Sequence, residues 1–149
     1  TFTLDNKKII KKLLIIGGSF SIDKEILEFI EEYKKELKVI IGPLVKKNVI
    51  SKLKKRGFDL IVNPNNIFKY ILCSNKVYCR FGVSVFETIA LNKKPIVFSE
   101  YNDKDKNIIK KLYKLNYINI YGKKEIKVKK KINIDSCYKN LFRIFFKKS

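Results

Sequence analysis

Residues 77–100 read VYCRFGVSVFETIALNKKPIVFSE. An apolar strand runs into the turn Phe81-Gly82, a short helix follows, and Lys-Pro leads into a second apolar strand. Strand, helix and strand joined this closely predict a parallel crossover. The helix carries a single acid, Glu87, in a chain whose formal net charge is +20. A lone carboxylate there needs a reason.

The alternation extends in both directions. KLLIIGG (12–18) is an unbroken apolar run ended by glycines, as expected of a strand buried on both faces. SIDKEILEFIEEYKKEL (21–37) places Ile22, Ile26, Leu27, Phe29, Ile30 and Tyr33 at helical spacing, with acids in its early turns. KVIIGP (38–43) is a second strand, and VKKNVISKLKKRG (45–57) a helix closed by Gly57. FDLIVNP (58–64) is a third strand, and NNIFKYILCSN (65–75) a short helix capped by Asn65 or Asn66. KVYCRFG (76–82) and PIVFSE (95–100) are the fourth and fifth strands, with SVFETIALN (84–92) between them. DKDKNIIKKLYKLN (103–116) is a helix and YINIYG (117–122) a last short strand. KKEIKVKKKINI (123–134) alternates Lys with Ile and Val, so one apolar edge is expected on the protein with lysines in water. An amphipathic helix, 134–149, closes the chain. The prediction is a single α/β domain over residues 1–149, a Rossmann-like, doubly wound parallel sheet.

Hydrophobic residues make up 46% of the chain and charged residues 32%, a globular balance. No apolar run approaches the ~20 residues of a membrane span. Only Arg56, Arg80 and Arg143 are arginines among 34 basic residues, and the lysines are scattered over every predicted helix. Arginine is the preferred reader of phosphates and base edges, so no specific nucleic-acid partner is expected. A general affinity for anions, membrane surface or nucleotide, remains open. Cys73, Cys79 and Cys137 lack metal-ligand spacing and there is no His, so neither a metal nor another cofactor is expected. An odd cysteine count and no signal-peptide pattern point to reduced thiols and a cytoplasmic location. Without His the commonest general base is missing, and no catalytic residue is assigned. The absence of Met, even at position 1, suggests a segment of a longer protein or a processed chain.

Ligands of such sheets bind beyond the carboxyl ends of the strands, where strand order reverses. Gly17, Gly18 and Ser19 follow the first strand and can bring amides and a hydroxyl to an anion at the next helix, or simply make a tight turn. Gly82, Val83 and Ser84 repeat the arrangement after the fourth strand, which favours a diphosphate. Glu87 lies about one turn into the helix behind them. A carboxylate there can accept two hydrogen bonds from a ribose diol, or it can merely complement the helix dipole.

The order LLIIGGS, VIIGPL and NPNNIFKYILCSNKVYCRFGVSVFETIALNKKPIVFSEYNDKDKN resembles the C-terminal, nucleotide-sugar-binding half of GT-B glycosyltransferases. Within that superfamily it is most similar to the UDP-N-acetylglucosamine transferase that makes lipid II and to the UDP-sugar hydrolase of pseudaminic acid synthesis. The likeness runs from about residue 12 to 121. It implies that Glu87 holds the ribose hydroxyls and that the backbone at Asn66 and Ile67 meets the uracil. It also implies that Gly17, Gly18, Ser19, Gly82, Val83 and Ser84 surround the diphosphate. Asp103, Asp105 and Asn107 fall where the family places polar residues that reach the donor sugar. The chain departs from the pattern at Phe20, at Val83 and at Phe81, where a small residue usually stands beside the phosphates.

In that superfamily the acceptor site and the base lie largely in an N-terminal domain. The resemblance therefore implies the UDP-sugar-binding half of a transferase or hydrolase of cell-surface glycan synthesis. The acceptor half would be fused to it or be a separate subunit, and the location cytoplasmic or peripheral at the inner membrane face. The closing helix, with Leu141, Phe142, Ile144, Phe145 and Phe146, would pack on its own sheet, on that partner, or on an anionic membrane. The rival readings are a domain of this fold with a decayed site and a basic module that binds polyanions or membrane surface.

Overall fold

The computed structural model describes residues 9–17, 22–98 and 103–125. Six strands and five helices alternate: β1 (Ile10–Ile16), α1 (Lys24–Glu32), β2 (Leu37–Ile41), α2 (Lys47–Lys55), β3 (Leu60–Val62), α3 (Phe68–Leu72), β4 (Ser74–Arg80), α4 (Val83–Ala90), β5 (Ile96–Phe98), α5 (Asp103–Lys114) and β6 (Asn119–Ile120). All strand pairings are parallel and the order is β3-β2-β1-β4-β5-β6, a doubly wound, Rossmann-like sheet.

Period-two side-chain alternation sends neighbouring residues of each strand to opposite faces, so unbroken apolar strands build two cores. Leu13 and Ile15 of β1 join Val77, Cys79, Val85, Ile89 and Leu112 under α3, α4 and α5. Leu14 and Ile16 join Ile26, Ile30, Val39 and Leu53 under α1 and α2. On this second face Phe29 of α1 is an aromatic hub, its ring 4.6 Å from Tyr78, 5.3 Å from Phe98 and 5.5 Å from Tyr121. The sheet tapers from two strands of 7 residues at its centre to edge strands of 3 and 2.

Element identities follow the sequence, and several boundaries move for local reasons. α1 begins at Lys24 rather than near Ser21, because Asp23 takes the N-cap and accepts the Ile26 amide at 3.0 Å. α3 is shorter than expected and β4 longer. Ser74, buried, pairs with Ile10 while its hydroxyl donates to the Tyr70 carbonyl at 2.5 Å. Gly57 ends α2 as expected, at φ +78°, the left-handed conformation that favours glycine. Asn63, Asn92 and Asn116 adopt the same region after β3, α4 and α5.

The Lys-Lys-Pro that precedes β5 also has a structural use. Lys93 donates to the Ser74 carbonyl at the start of β4, and Lys94 donates to the Asn116 side chain after α5. Burial holds both ammonium groups below the usual lysine range. Among the described residues no helix is long and apolar enough to cross a membrane. The lysine-rich stretch beyond Glu125 and the closing helix, including Cys137, lie outside the described residues.

Two consequences are measurable. Phe29→Ala should lower stability by about 3–5 kcal/mol, read as a fall in the urea midpoint, since it empties the centre of the aromatic cluster. Burial pushes the Tyr78 hydroxyl and the Cys79 thiol up to about 12, from ordinary values of 10.0 and 9.0. Both groups stay protonated in the folded chain where the unfolded chain has released those protons. The stability they contribute is complete below about pH 9 and is lost as pH climbs to about 12. Tyr78→Phe should flatten the fall above about pH 10, seen by comparing urea midpoints of the two proteins through that range.

Candidate functional site

Strand order reverses between β1 and β4, so the ligand crevice of this sheet lies beyond their carboxyl ends. Gly17 leaves β1, and Phe81-Gly82 leave β4, on either side of that point. Gly18, Ser19 and Phe20 lie outside the described residues. The helices that open here, α1 and α4, meet the crevice in opposite ways.

The amino end of α1 is occupied by the chain itself. The Asp23 carboxylate caps the helix and forms an ion pair with Arg80, the last residue of β4. The Arg80 side chain is 8% exposed and that of Asp23 is 26% exposed. This clasp ties the carboxyl end of β4 to the start of α1 across the switch point. A phosphate expected at this helix from the Gly17–Ser19 turn would meet an aspartate already in place.

The amino end of α4 is uncapped among the described residues. Gly82 is its N-cap with extended backbone, φ 164° and ψ −164°, which any residue adopts. Among the described residues a Cβ at Gly82 would meet no atom within 4 Å, and the same holds at Gly17. No described side chain caps the helix, no acid lies in its first turn, and Val83 beside it is 73% exposed. The first amides of α4 therefore meet no described capping group, with the positive end of the helix dipole behind them. Ser84 is half-buried, and its carbonyl accepts the Thr88 hydroxyl at 2.7 Å. Phe81 is half-buried, and its ring packs edge-on against Phe86, with centroids 5.9 Å apart, against the core under α4.

Glu87 lies half-buried on the second turn of α4. Its charge adds to burial, the larger cause, in raising the Cys79 thiol. Among the described residues no hydrogen bond or ion pair engages that carboxylate, whereas Glu31, Glu36, Asp23 and Asp59 are all paired with Lys or Arg. Glu25, Glu32 and Asp105 share that lack of an ion pair among the described residues, but Glu87 alone of the four stands on α4, beside the switch point.

The remaining predicted residues divide. The N-cap of the short α3 is Ile67 rather than Asn65 or Asn66; the Asn66 side chain, one residue earlier, accepts the Lys69 amide at 3.4 Å, and Ile67 packs on the same core as α4. Both precede α3 after the carboxyl end of β3. The three residues assigned to the donor sugar fall on α5, the helix expected over 103–116. Asp105 and Asn107 are separated by about 200° around the helix. Asp105 is half-buried and Asn107 exposed, so one ligand group cannot meet both. For Asp103 only the backbone is described. Among the described residues no three His, Cys, Asp or Glu side chains converge on a metal-sized site.

The clasp was the feature missed in the sequence. Its signals were present: an aspartate just ahead of the first periodic residues of a helix, and one of only three arginines at a strand end. Nothing local says that positions 23 and 80 meet. Compared with family models, with curated proteins and with solved structures, the chain matches none.

Asp23→Ala removes the cap and leaves the Arg80 guanidinium buried without its aspartate. It should cost about 2–4 kcal/mol in urea denaturation, and Asp23→Ala combined with Arg80→Met should recover part of the loss.

Proposed function

We propose that this chain binds the UDP moiety of a nucleotide-sugar and is the donor half of a GT-B-type transferase or UDP-sugar hydrolase. The observation that carries this reading is Glu87, a half-buried carboxylate with no partner among the described residues, one turn below an uncapped helix end at the switch point. A ribose diol supplies two donors to such a carboxylate, and a diphosphate accepts from the free amides of Gly82, Val83 and Ser84. The uracil would lie toward Asn66 and Ile67. The donor sugar would lie toward the start of α5, where either Asp105 or Asn107 could reach it. The acceptor site and the base would come from a further domain or a subunit, and the reaction would be cytoplasmic, or peripheral at the inner membrane face, with glycan synthesis as its setting.

The clasp favours a second reading. An aspartate at the amino end of α1 repels a phosphate there, as a GT-B-like interaction domain with a decayed site would allow.

Calorimetric titration separates the two. UDP and UDP-N-acetylglucosamine should bind saturably at moderate salt, ADP more weakly. Glu87→Ala should weaken UDP by about tenfold to a hundredfold, the loss of one or two charged hydrogen bonds. Equal, weak binding of UDP and ADP that fades with salt would sink the donor-half reading and leave the interaction domain.

A further inference from the structure

α1 and α2 lie on one face of the sheet, and both run from its carboxyl edge to its amino edge, since each links parallel neighbouring strands. A groove of about 560 Å³ lies between them. Its apolar wall is made by Ile22 and Leu27 on the α1 side and by Val49 and Leu53 on α2. Leu53 belongs to the core beneath, while Ile22, Leu27 and Val49 are half-exposed.

The charge of the groove is one-signed. Lys52, Lys55 and Arg56 line it, and among the described residues no acid does. These three occupy i, i+3 and i+4 positions, so they share one side of a single turn. From 45 to 57 the chain has Lys46, Lys47, Lys52, Lys54, Lys55 and Arg56 without one carboxylate. The helix dipole accounts for cations near the end of α2, but not for their convergence beside an apolar trough. Across the trough Glu31 accepts from Arg56 at 3.1 Å, and Glu28 is exposed on α1.

We propose that this groove is a binding site for a single-chain anionic amphiphile. Its apolar chain would lie over Ile22, Leu27 and Val49 toward the carboxyl edge. Its phosphate or carboxylate head would meet Lys52, Lys55 and Arg56 toward the amino edge, sharing Arg56 with Glu31. The volume falls within the range of about 300–1,000 Å³ typical of small-ligand sites, and the lining has their usual make-up, mostly apolar with a few placed charges. An acidic helix suits the groove less well, because its carboxylates are spread along its length and would face Glu28 and Glu31. The site shares no residue with the proposed nucleotide site, so either assignment stands or falls alone.

The test uses the full chain and dodecyl phosphate below its micelle concentration, followed by calorimetry. Dodecyl phosphate should saturate a single site. Inorganic phosphate and the uncharged dodecyl maltoside should bind at least about tenfold more weakly, since each offers half of the recognition. Lys52→Glu with Lys55→Glu should weaken dodecyl phosphate by about tenfold or more, and Leu27→Trp, which fills the trough, should do so without changing charge. Lys110→Glu with Lys111→Glu, exposed on α5, should leave it unchanged. Circular dichroism checks that each variant is folded. The proposal is overturned by no binding, by binding that survives both groove variants, or by an equal loss in the α5 variant. Equal affinity for the maltoside, or tighter capture of an acidic amphipathic peptide, would overturn it too.

Discussion

Everything in this fold hangs on the pairing of β1 with β4. The register joins Ile10 to Ser74 and Ile15 to Cys79, partners more than sixty residues apart in the chain. Closing so long a loop costs entropy before any contact returns it, and only a doubly buried central strand pair recovers that cost. Leu13, Leu14, Ile15 and Ile16 are each no more than 4% exposed, and Val77, Tyr78 and Cys79 are nearly as deep. The two longest strands thus supply adjoining ribbons of both cores. The crevice is a by-product of this same pairing, since β1 and β4 send their crossovers away from each other.

At the mouth of that crevice two helix ends with the same dipole are handled differently. α1 brings its own carboxylate, and Arg80 holds it there. Among the described residues α4 has neither a side-chain cap nor an acid in its first turn, and Glu87 on its second turn has no ion-pair partner. Electrostatics gives the crevice a polarity: a satisfied side and an unsatisfied side, next to one another. A ligand with acceptors for amides and donors for a carboxylate would complete the second side without disturbing the first. Catalysis is a separate matter, because the described crevice offers no group with the proton affinity of a histidine.

Much of the fold was legible in the sequence because the responsible signals are local. Apolar runs such as LLII and VII, glycines at 17, 42, 57 and 82, and the 3.6-residue period of KEILEFIEE each name an element without reference to the rest. Strand boundaries were less legible, since Ser74 becomes a strand residue only through Ile10 and the Tyr70 carbonyl. That Gly82 and Glu87 follow the carboxyl end of the fourth strand came from the parallel alternation, whereas the strand order that sets β4 beside β1 at the switch point did not. The Asp23–Arg80 clasp was not legible either, because it depends on which residues meet across the sheet. Asp105 and Asn107 are near neighbours in sequence, and the helix legible over 103–116 already sets them about 200° apart.

The taper of the sheet has a consequence for the chain's behaviour in company. Strands built from Ile, Leu and Val offer unpaired amides and carbonyls at a sheet's margins, and long margins recruit other chains. Among the described residues the margins are β3 and β6, with 3 and 2 residues, too short to template a stable intermolecular ladder. Asn63 turns the backbone left-handed immediately after β3, which ends that edge abruptly. The sequence thus keeps its most adhesive segments, β1 and β4, in the interior of the sheet. Self-association by strand addition is discouraged by architecture, in addition to the repulsion between chains of formal charge +20.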